Sequence, residues 1–383
     1  MKVGLITYHN ALNYGAALQA YATQRAICNL GHECIVIDYI NTARRRKYNM
    51  ISLIREKMKQ GDIRAVAKMA AGSIFVAGRQ KTFKKFYSNN LVKTKTEYHS
   101  SEELMKLNDE FDLFLAGSDQ IWNPENNGAD MAFLLDFVKD MEKTASYASS
   151  FGLSEIPDEL KDIYKDKLNK IRFLSVRELK GVELVEKLTN RHAELVLDPV
   201  FLLSKEDWED LCKDENKYSE PFIFEYTNRP GQLEQALKAI SYDAKGVKVR
   251  KISRYVNIND IFDKNKIIDY SISPKRFAAN IRDAQLVVTA SFHGTALAII
   301  LEKPFISVLT GDTGKDSRIE SLLEIAGLRN RIVSDKTSAN EILPAVDFAA
   351  AKKLLGIHLS NSLTFLKVAL GETEGAGFND RNL

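Results

Sequence analysis

The feature that most constrains the fold is a unit that recurs along the chain. Each unit has a short apolar run, a polar break and a helix-forming stretch. The first one has an apolar run at 3–8, a break at 13–15 and a helix-forming stretch at 16–30. The unit returns at 222–242 and again at 286–301. Because short apolar runs that alternate with helices are typical of parallel sheets, we predict an α/β fold.

The recurrence of the unit divides the chain into two halves. A length of 383 residues exceeds one typical domain core, and polar sequence at 204–220 is typical of a linker. We expect two Rossmann-like domains, residues 1–200 and 201–383, the second ending in a largely helical stretch at 341–370. Their parallel sheets would face each other across a cleft. Such sheets bind ligands at the carboxyl ends of their strands, so the cleft is the predicted site.

The composition excludes several classes of protein. Hydrophobic residues make up 45% and charged residues 27%, as in folded globular proteins. Cys28, Cys34 and Cys212 lack C-x-x-C spacing, and no H-E-x-x-H motif occurs, so we expect neither a disulfide framework nor a metal site. The first apolar run is too short for a signal peptide, and no apolar stretch reaches about 18 residues. We expect a cytoplasmic protein, either free or at the inner face of the membrane.

Positive charge is concentrated in one segment. The net charge of +3 is too small to favour nucleic-acid binding. Residues 41–95, however, hold fifteen Lys or Arg against two acids, Glu56 and Asp62, a net charge of +13. One interpretation is an amphipathic helical insert with solvated bases. The other is a peripheral contact with phosphates or anionic lipid, which would suit an enzyme that acts on lipid-linked intermediates.

The strongest candidate for catalysis is His293. It lies in a polar turn, Ser291 to Gly294, between a buried strand and a helix predicted to begin at Thr295. Ligands approach at this position, and helix amides favour an anion there. Histidine exchanges a proton near neutral pH. We therefore predict that His293 is catalytic and that Ser291, Gly294 and Thr295 bind substrate; the alternative is a capping or packing histidine.

The other five histidines are weaker candidates. His9 ends the first predicted strand, so it either lines the same cleft or has a structural role. We interpret His32, His99, His192 and His358 as structural or surface residues, because they lie in turns, a loop or the last helix.

Two segments in the first half contribute further candidates. Arg177 directly follows a strand, and a guanidinium binds carboxylate or phosphate through two hydrogen bonds. Asn13, Tyr14 and Gly15 occupy the turn where a dinucleotide site would show G-x-G-x-x-G. A single glycine disfavours nicotinamide, whereas a small anion could bind at this helix start.

Two loops complete the set. Ser118, Asp119 and Gln120 follow a buried strand, either as substrate-binding residues or as a tight turn in which Asp119 caps a helix. The stretch 311–318 carries Lys315 and Arg318 and would be a lid, an anion-binding loop or a surface turn.

Taken in order, these segments resemble the polysaccharide pyruvyl transferase family. The resemblance covers residue 1 to about 330. The matching motifs are Tyr8-His9-Asn10, Asn13-Tyr14-Gly15, Gly117-Ser118-Asp119-Gln120-Ile121-Trp122, Ser146-Tyr147-Ala148, Ser175-Val176-Arg177-Glu178, Leu197-Asp198-Pro199-Val200 and Ser291-Phe292-His293-Gly294. The resemblance implies the two-domain fold called GT-B. It also implies transfer of a pyruvyl group from phosphoenolpyruvate to sugar hydroxyls as a ketal, in cell-surface polysaccharide biosynthesis.

The resemblance also implies roles for individual residues. His293 would be the general acid, and Arg177 would hold the phosphate or carboxylate of the donor. Some relatives carry an Arg two residues before this histidine, where Ser291 stands here. Arg318, Lys315 or Arg276 would then have to replace it.

The implied ligands are phosphoenolpyruvate as donor substrate, with no cofactor, and an acceptor sugar that is lipid-linked or nucleotide-linked. Two alternatives remain open at this stage. One is a GT-B glycosyltransferase that uses a nucleotide sugar, and the other is a non-catalytic sugar-binding protein.

Overall fold

A computed structural model describes residues 1–41, 58, 63–253, 260, 262–311, 313–334, 337 and 345–372, with the backbone alone for 63–74 and 313–315. Much of the basic segment, 42–57 and 59–62, therefore lies outside the described residues, as do Asp312 and the side chain of Lys315.

The first half is built on a parallel sheet with the strand order β2-β1-β3-β4. These strands are β1 (Lys2–Ile6), β2 (Glu33–Val36), β3 (Leu113–Ala116) and β4 (Thr144–Ser146). The short parallel strands β5 (Ser175–Val176) and β6 (Glu194–Leu195) continue this sheet through the bridges Ala145–Phe173 and Ser149–Val176. Val3 pairs with Cys34 on one side and Leu113 on the other, and all three are buried.

Six described helices belong to this half of the chain. They are α1 (Tyr14–Asn29), α2 (Ile63–Asn90), α3 (Ser101–Leu104), α4 (Pro124–Asn127), α5 (Lys161–Asn169) and α6 (Leu179–Thr189). Helix α1 begins where Asn13 accepts hydrogen bonds from the amides of Gly15 (2.9 Å) and Ala16 (3.3 Å). These amides have no partner inside the helix, so the cap stabilises its start.

The second half is built on a six-stranded parallel sheet with the order β12-β11-β10-β7-β8-β9. Its strands are β7 (Phe222–Tyr226), β8 (Lys248–Ile252), β9 (Lys266–Asp269), β10 (Leu286–Thr289), β11 (Phe305–Val308) and β12 (Ile332–Val333). Its helices are α7 (Lys205–Leu211), α8 (Gln232–Ala239), α9 (Pro274–Asp283), α10 (Phe292–Ile300) and α11 (Thr313–Ile325). Short 3₁₀ helices cover Met105–Leu107, Met131–Leu134, Met141–Lys143, Asp158–Leu160, Pro199–Leu202 and Arg329–Arg331. The two sets of parallel strands confirm the predicted fold class.

The halves pack against each other through helices. The ring of Tyr14 in α1 stacks on Phe277 in α9, with the ring centroids 4.8 Å apart. The last helix, α12 (Phe348–Ala369), follows the second sheet in the chain but contacts the first half. There the Ser362 hydroxyl accepts a hydrogen bond of 2.8 Å from the Leu197 amide.

Helix α2 adds a further contact between the halves. Its buried Arg79 donates hydrogen bonds to the carbonyls of Ser253 (2.9 Å) and Tyr270 (3.0 Å) in the second half. In the part of the chain that the structure describes, no helix is long and apolar enough to cross a membrane.

Two helix starts in the second half differ from the prediction, and some elements there were not predicted. Helix α10 begins at Phe292 instead of Thr295, because the Ser291 hydroxyl accepts a hydrogen bond of 3.4 Å from the Gly294 amide and acts as its cap. The predicted loop at 311–318 is helical from Thr313 onward. Asp316 stabilises that start by accepting hydrogen bonds from Thr310 and the Gly311 amide. Strands β9 and β12 and helix α9 were not predicted.

Candidate functional site

The candidate site lies where the strand ends of the two halves meet. His293 is the second residue of α10 and follows the carboxyl end of β10 in the second half. Its ring lies against Gly15 of the first half. A Cβ placed on Gly15 would be 2.1 Å from His293 Nδ1, so only glycine permits this approach. The predicted catalytic residue and one predicted binding residue therefore come together across the cleft.

The other edge of the imidazole faces Asp198. His293 Nε2 lies 3.4 Å from Asp198 Oδ2, and within the described residues this nitrogen has no hydrogen-bond partner. Asp198 is fully buried and follows β6. Burial alone would raise the pKa of Asp198, but the His293 and Arg177 side chains hold it well below its usual range. The group is therefore an ionised carboxylate that orients the ring.

Arg177 is buried between three carboxylates. Its NH1 donates a hydrogen bond of 2.6 Å to Asp198 Oδ2. Its NH2 lies 3.7 Å from Asp119 Oδ1, and its Nε lies 3.8 Å from Glu178 Oε2. Burial would lower the pKa of Arg177, and these three carboxylates raise it instead. Nε and NH2 lack hydrogen-bond partners among the described residues, so a ligand oxygen could accept from them.

A second guanidinium, Arg318, enters the same site from α11. Burial, followed by the positive charge of Arg177, lowers the pKa of Arg318, and Asp119, Glu178 and Asp198 act in the opposite direction. Its Nε is buried and has no hydrogen-bond partner within the described part of the chain. A buried and a half-buried guanidinium group next to one imidazole form a site that can bind an anion.

The loop after β3 also reaches this site. The buried Ser118 hydroxyl donates a hydrogen bond of 3.2 Å to Asp198 Oδ2. Asp119 has a φ of 72° and faces Arg177, so it does not cap a helix as one interpretation had it. Gln120 accepts a hydrogen bond of 2.9 Å from the Asn126 amide group and packs against Gly152, which fixes the loop.

Several predicted binding residues make structural contacts instead of presenting a free polar group to the site. Asn13 and Ser291 cap α1 and α10. Tyr14 is buried between the halves. The Thr295 and Ser307 hydroxyls hydrogen-bond to each other at 2.7 Å below the site. Gly294 permits close packing, since a Cβ there would lie 2.5 Å from Thr289 Oγ1.

Arg276 does not replace the missing Arg of some relatives. Its guanidinium donates to the Tyr218 hydroxyl at 2.8 Å and to the Asn216 carbonyl at 2.6 Å. It also lies 3.5 Å from Glu215. These contacts hold the linker between the two sheets. They also occupy the Nε and NH1 donors that a ligand would need.

The remaining histidines contact structural partners. The buried His9 ring lies 2.7 Å from Asp38 and 3.1 Å from the Thr7 carbonyl. His32, His99 and His192 pair with Glu372, Glu97 and Glu186, and His358 lies in α12. The part of the chain that is described contains no cluster of three or more His, Cys, Asp or Glu that could hold a metal ion.

A family comparison agrees with this geometry. The model of the polysaccharide pyruvyl transferase family matches residues 13–312, which include every side chain of the cleft described above except that of Arg318. The chain belongs to this family. It is therefore a member of a transferase family, and none of the curated proteins compared matches it significantly.

Solved structures show that this member of the family has the GT-B-like fold. One similar structure is S. aureus MnaA with UDP, with a TM-score of 0.52 and 10% identity over 99% of this chain and 100% of that chain. Another is a Listeria monocytogenes protein described as a UDP-N-acetylglucosamine 2-epimerase, with a TM-score of 0.52 and 10% identity over 97% of each chain. At such identities the likeness concerns the fold alone.

Asp198 and Glu178 are two residues of the site that the sequence analysis did not select. Glu178 is the second residue after β5, and Asp198 is the third residue after β6. The positional signal that identified Arg177, extended by one residue, would have found Glu178. Asp198 stands farther from its strand, directly before Pro199, and this signal does not reach it.

Proposed function

We propose that the protein transfers a pyruvyl group from phosphoenolpyruvate to two hydroxyls of a sugar, forming a ketal during the synthesis of a cell-surface polysaccharide. The observation that carries the proposal is the position of His293 in the cleft. Its imidazole lies between Gly15 and the buried Asp198, and Asp198 also accepts a hydrogen bond from the Arg177 guanidinium. Family membership supports the reaction class.

The chemistry requires an acid. A proton moves from His293 to the methylene carbon of phosphoenolpyruvate, which turns the methylene into a methyl group. The adjacent carbon gains positive character, and a sugar hydroxyl oxygen bonds to it. The bond from this carbon to the phosphate oxygen then breaks, inorganic phosphate leaves, and the second hydroxyl forms the second bond of the ketal. An acid in this role typically contributes a factor of about 100 to 10,000 in rate.

The donor also requires cations. We assign phosphate and carboxylate binding to Arg177 and Arg318, whose buried Nε atoms have no hydrogen-bond partner among the described residues. Arg318 would take the place of the Arg that some relatives carry where Ser291 stands here. Preorganised guanidinium groups stabilise the charge that develops on the departing phosphate.

The experiment is phosphate release from phosphoenolpyruvate in the presence of lipid-linked and nucleotide-linked sugars. We expect release that depends on both substrates, and phosphoenolpyruvate alone should raise the melting temperature. Melting that shifts only with UDP or GDP sugars would favour the glycosyltransferase alternative. A shift with a sugar but no turnover would favour a non-catalytic binding protein.

A lipid-linked acceptor would bring the protein to a membrane, and we propose that the basic segment makes this contact. In its described part, Lys81, Lys84 and Lys85 of α2 are exposed. Lysines near an anionic surface contribute about 1 kcal/mol each. Cosedimentation with vesicles that contain anionic lipid should be lost at high salt; binding that is equal with neutral vesicles would contradict the proposal.

A further inference from the structure

The proposed reaction also needs a residue that accepts protons from the sugar hydroxyls, and the proposed function names none. His293 supplies a proton to carbon, but each attacking hydroxyl has to lose one. A carboxylate close to the acid, with an oxygen free to accept that proton, is the simplest group for this task. Among the described residues, Asp119, Glu178 and Asp198 are the carboxylates next to Arg177, and they differ in what already occupies their oxygens.

Both carboxylate oxygens of Asp198 already accept hydrogen bonds. Its Oδ2 accepts from Arg177 and Ser118, and its Oδ1 accepts a hydrogen bond of 3.1 Å from the Val200 amide. An arriving hydroxyl would have to displace one of these donors. The role of Asp198 is therefore to position the histidine and the guanidinium.

Glu178 has one oxygen fixed and one oxygen free. Its Oε1 accepts a hydrogen bond of 2.7 Å from the buried Ser150 hydroxyl. Its Oε2 is buried, lies 3.8 Å from Arg177 Nε and has no hydrogen-bond partner in the described part of the chain. The side chain as a whole is only 10% exposed. A buried carboxylate oxygen without a donor is costly, which indicates that a ligand supplies the donor.

The position of Glu178 in the backbone supports the same conclusion. Glu178 is the residue that precedes α6, where a side chain usually accepts hydrogen bonds from the first helix amides. Its side chain makes no such bond and extends toward Arg177 instead. The Glu178 carboxylate therefore has no capping role and lies next to Arg177 instead.

We propose that Glu178 is the base that accepts the proton of the attacking sugar hydroxyl, an inference that rests on the proposed function. The proton passes from the hydroxyl to Glu178 Oε2 as the sugar oxygen bonds to the central carbon of phosphoenolpyruvate. Two hydroxyl protons are released in all. One replaces the proton that His293 gave to the methylene carbon, and the other leaves on inorganic phosphate.

Asp119 is the competing candidate. It also lies near Arg177, but its side chain is partly exposed, and no hydrogen bond of its carboxylate holds it in one orientation among the described residues. Ser150 anchors Glu178, and a base has to be held in place to act in the transition state. Asp119→Asn is therefore the matched control for Glu178→Gln, since both replace a carboxylate next to Arg177 with an amide of equal size.

The test measures turnover and donor binding in both variants. We expect Glu178→Gln to lower kcat by about 100- to 10,000-fold, while the rise in melting temperature with phosphoenolpyruvate stays as in the wild type. Asp119→Asn should lower kcat by less than about tenfold. Formate should restore part of the turnover of Glu178→Ala, because it can supply a carboxylate in the vacated space. A merely structural residue would not respond to formate.

The outcomes separate this inference from the proposed function. If the wild type releases no phosphate from phosphoenolpyruvate with any acceptor, the proposed function fails and the base assignment fails with it. If the wild type is active and Glu178→Gln retains comparable turnover, only the base assignment fails. Loss of the donor-induced melting shift in Glu178→Gln would likewise overturn it, in favour of a role in holding Arg177. Should Glu178→Gln not fold, Glu178→Asp keeps the charge, and wild-type turnover without any change in pH profile would contradict the proposal.

Discussion

His9 and His293 each follow a strand and lie beside an aspartate, yet their surroundings differ. His9 follows β1 in the first half, and both of its ring nitrogens lie within hydrogen-bond distance of Thr7 or Asp38. His293 follows β10 in the second half, and its Nε2 lies 3.4 Å from Asp198 without a hydrogen bond to any described residue. We call His9 and Asp38 the closed pair, because the ring nitrogens already have partners. We call His293 and Asp198 the open pair, because Nε2 has no hydrogen bond among the described residues.

The difference lies in what else the aspartate binds. Asp38 also accepts a hydrogen bond of 2.6 Å from Lys93, so the pair and its cation are complete. Asp198 is shared with Arg177, whose own Nε and NH2 still lack partners among the described residues. Buried polar groups are ordinarily satisfied, so unsatisfied ones gathered in a cleft indicate a ligand. The comparison indicates a structural role for the first pair, and it supports the functional role that we propose for the second.

The largest expected effect tests this assignment directly. His293→Asn should lower kcat for pyruvyl transfer by about 100- to 10,000-fold, because asparagine cannot deliver the proton. His9→Asn should leave kcat nearly unchanged and lower the melting temperature, because it removes the buried ring that lies 2.7 Å from Asp38. Steady-state phosphate release and thermal unfolding of both variants measure the contrast. Equal loss of turnover in the two variants would contradict it.

The second-largest expected effect on kcat comes from Gly15, which lies against the His293 ring. A Cβ at residue 15 would lie 2.1 Å from His293 Nδ1, so Gly15→Ala must displace the ring. A displacement of about 1 Å can cost about 100-fold in rate, and we expect a loss of that order in kcat. Gly356→Ala is the control, because a Cβ there meets no atom within 4 Å and α12 favours alanine. If Gly15→Ala is as active as Gly356→Ala, the ring is not held against Gly15 during turnover.

The closed pair should make the melting temperature depend on pH in the acid range. Burial would raise the pKa of Asp38, but hydrogen bonds and attraction from His9 and Lys93 lower it to about 2. A depressed carboxylate pKa contributes stability that is present above the unfolded value and is lost as the pH falls through the folded value. The melting temperature of the wild type should therefore exceed that of Asp38→Asn at about pH 5, and the difference should shrink toward about pH 2. A difference that is constant over this range would refute the ion pair.

The sequence was sufficient for the fold class, and it selected residues that the fold brings together, but it did not give the details of their contacts. Strand ends identified His293 and Arg177, because the polar residues stand next to apolar runs. The aromatic contact of Tyr14 with Phe277 could not be predicted, since it joins residues far apart in the chain and depends on how the halves pack. Asp198 was missed for a related reason, because its partners come from three separate segments.

Residues at helix starts have roles that the sequence alone does not distinguish. A serine or asparagine that precedes a helix at the edge of a sheet has the same local sequence whether it binds a ligand or caps the helix. Ser291 and Asn13 were both predicted to bind substrate, and both side chains accept hydrogen bonds from helix amides. Lys315 and Arg318 were placed in a loop because glycines precede them, but Asp316 accepts hydrogen bonds that extend the helix to Thr313.

The smallest expected effect separates capping from binding at these two helix starts. Asn13→Ala should lower the free energy of unfolding by about 1 kcal/mol, the usual contribution of a cap, with kcat and the KM for the acceptor unchanged. Ser291→Ala should cost less, because its bond to the Gly294 amide is 3.4 Å long, whereas Asn13 accepts from Gly15 at 2.9 Å. Chemical denaturation and steady-state kinetics measure the two quantities. A rise in KM without loss of stability would return these residues to the substrate site, because a capping side chain acts on the fold and a binding side chain acts on the ligand.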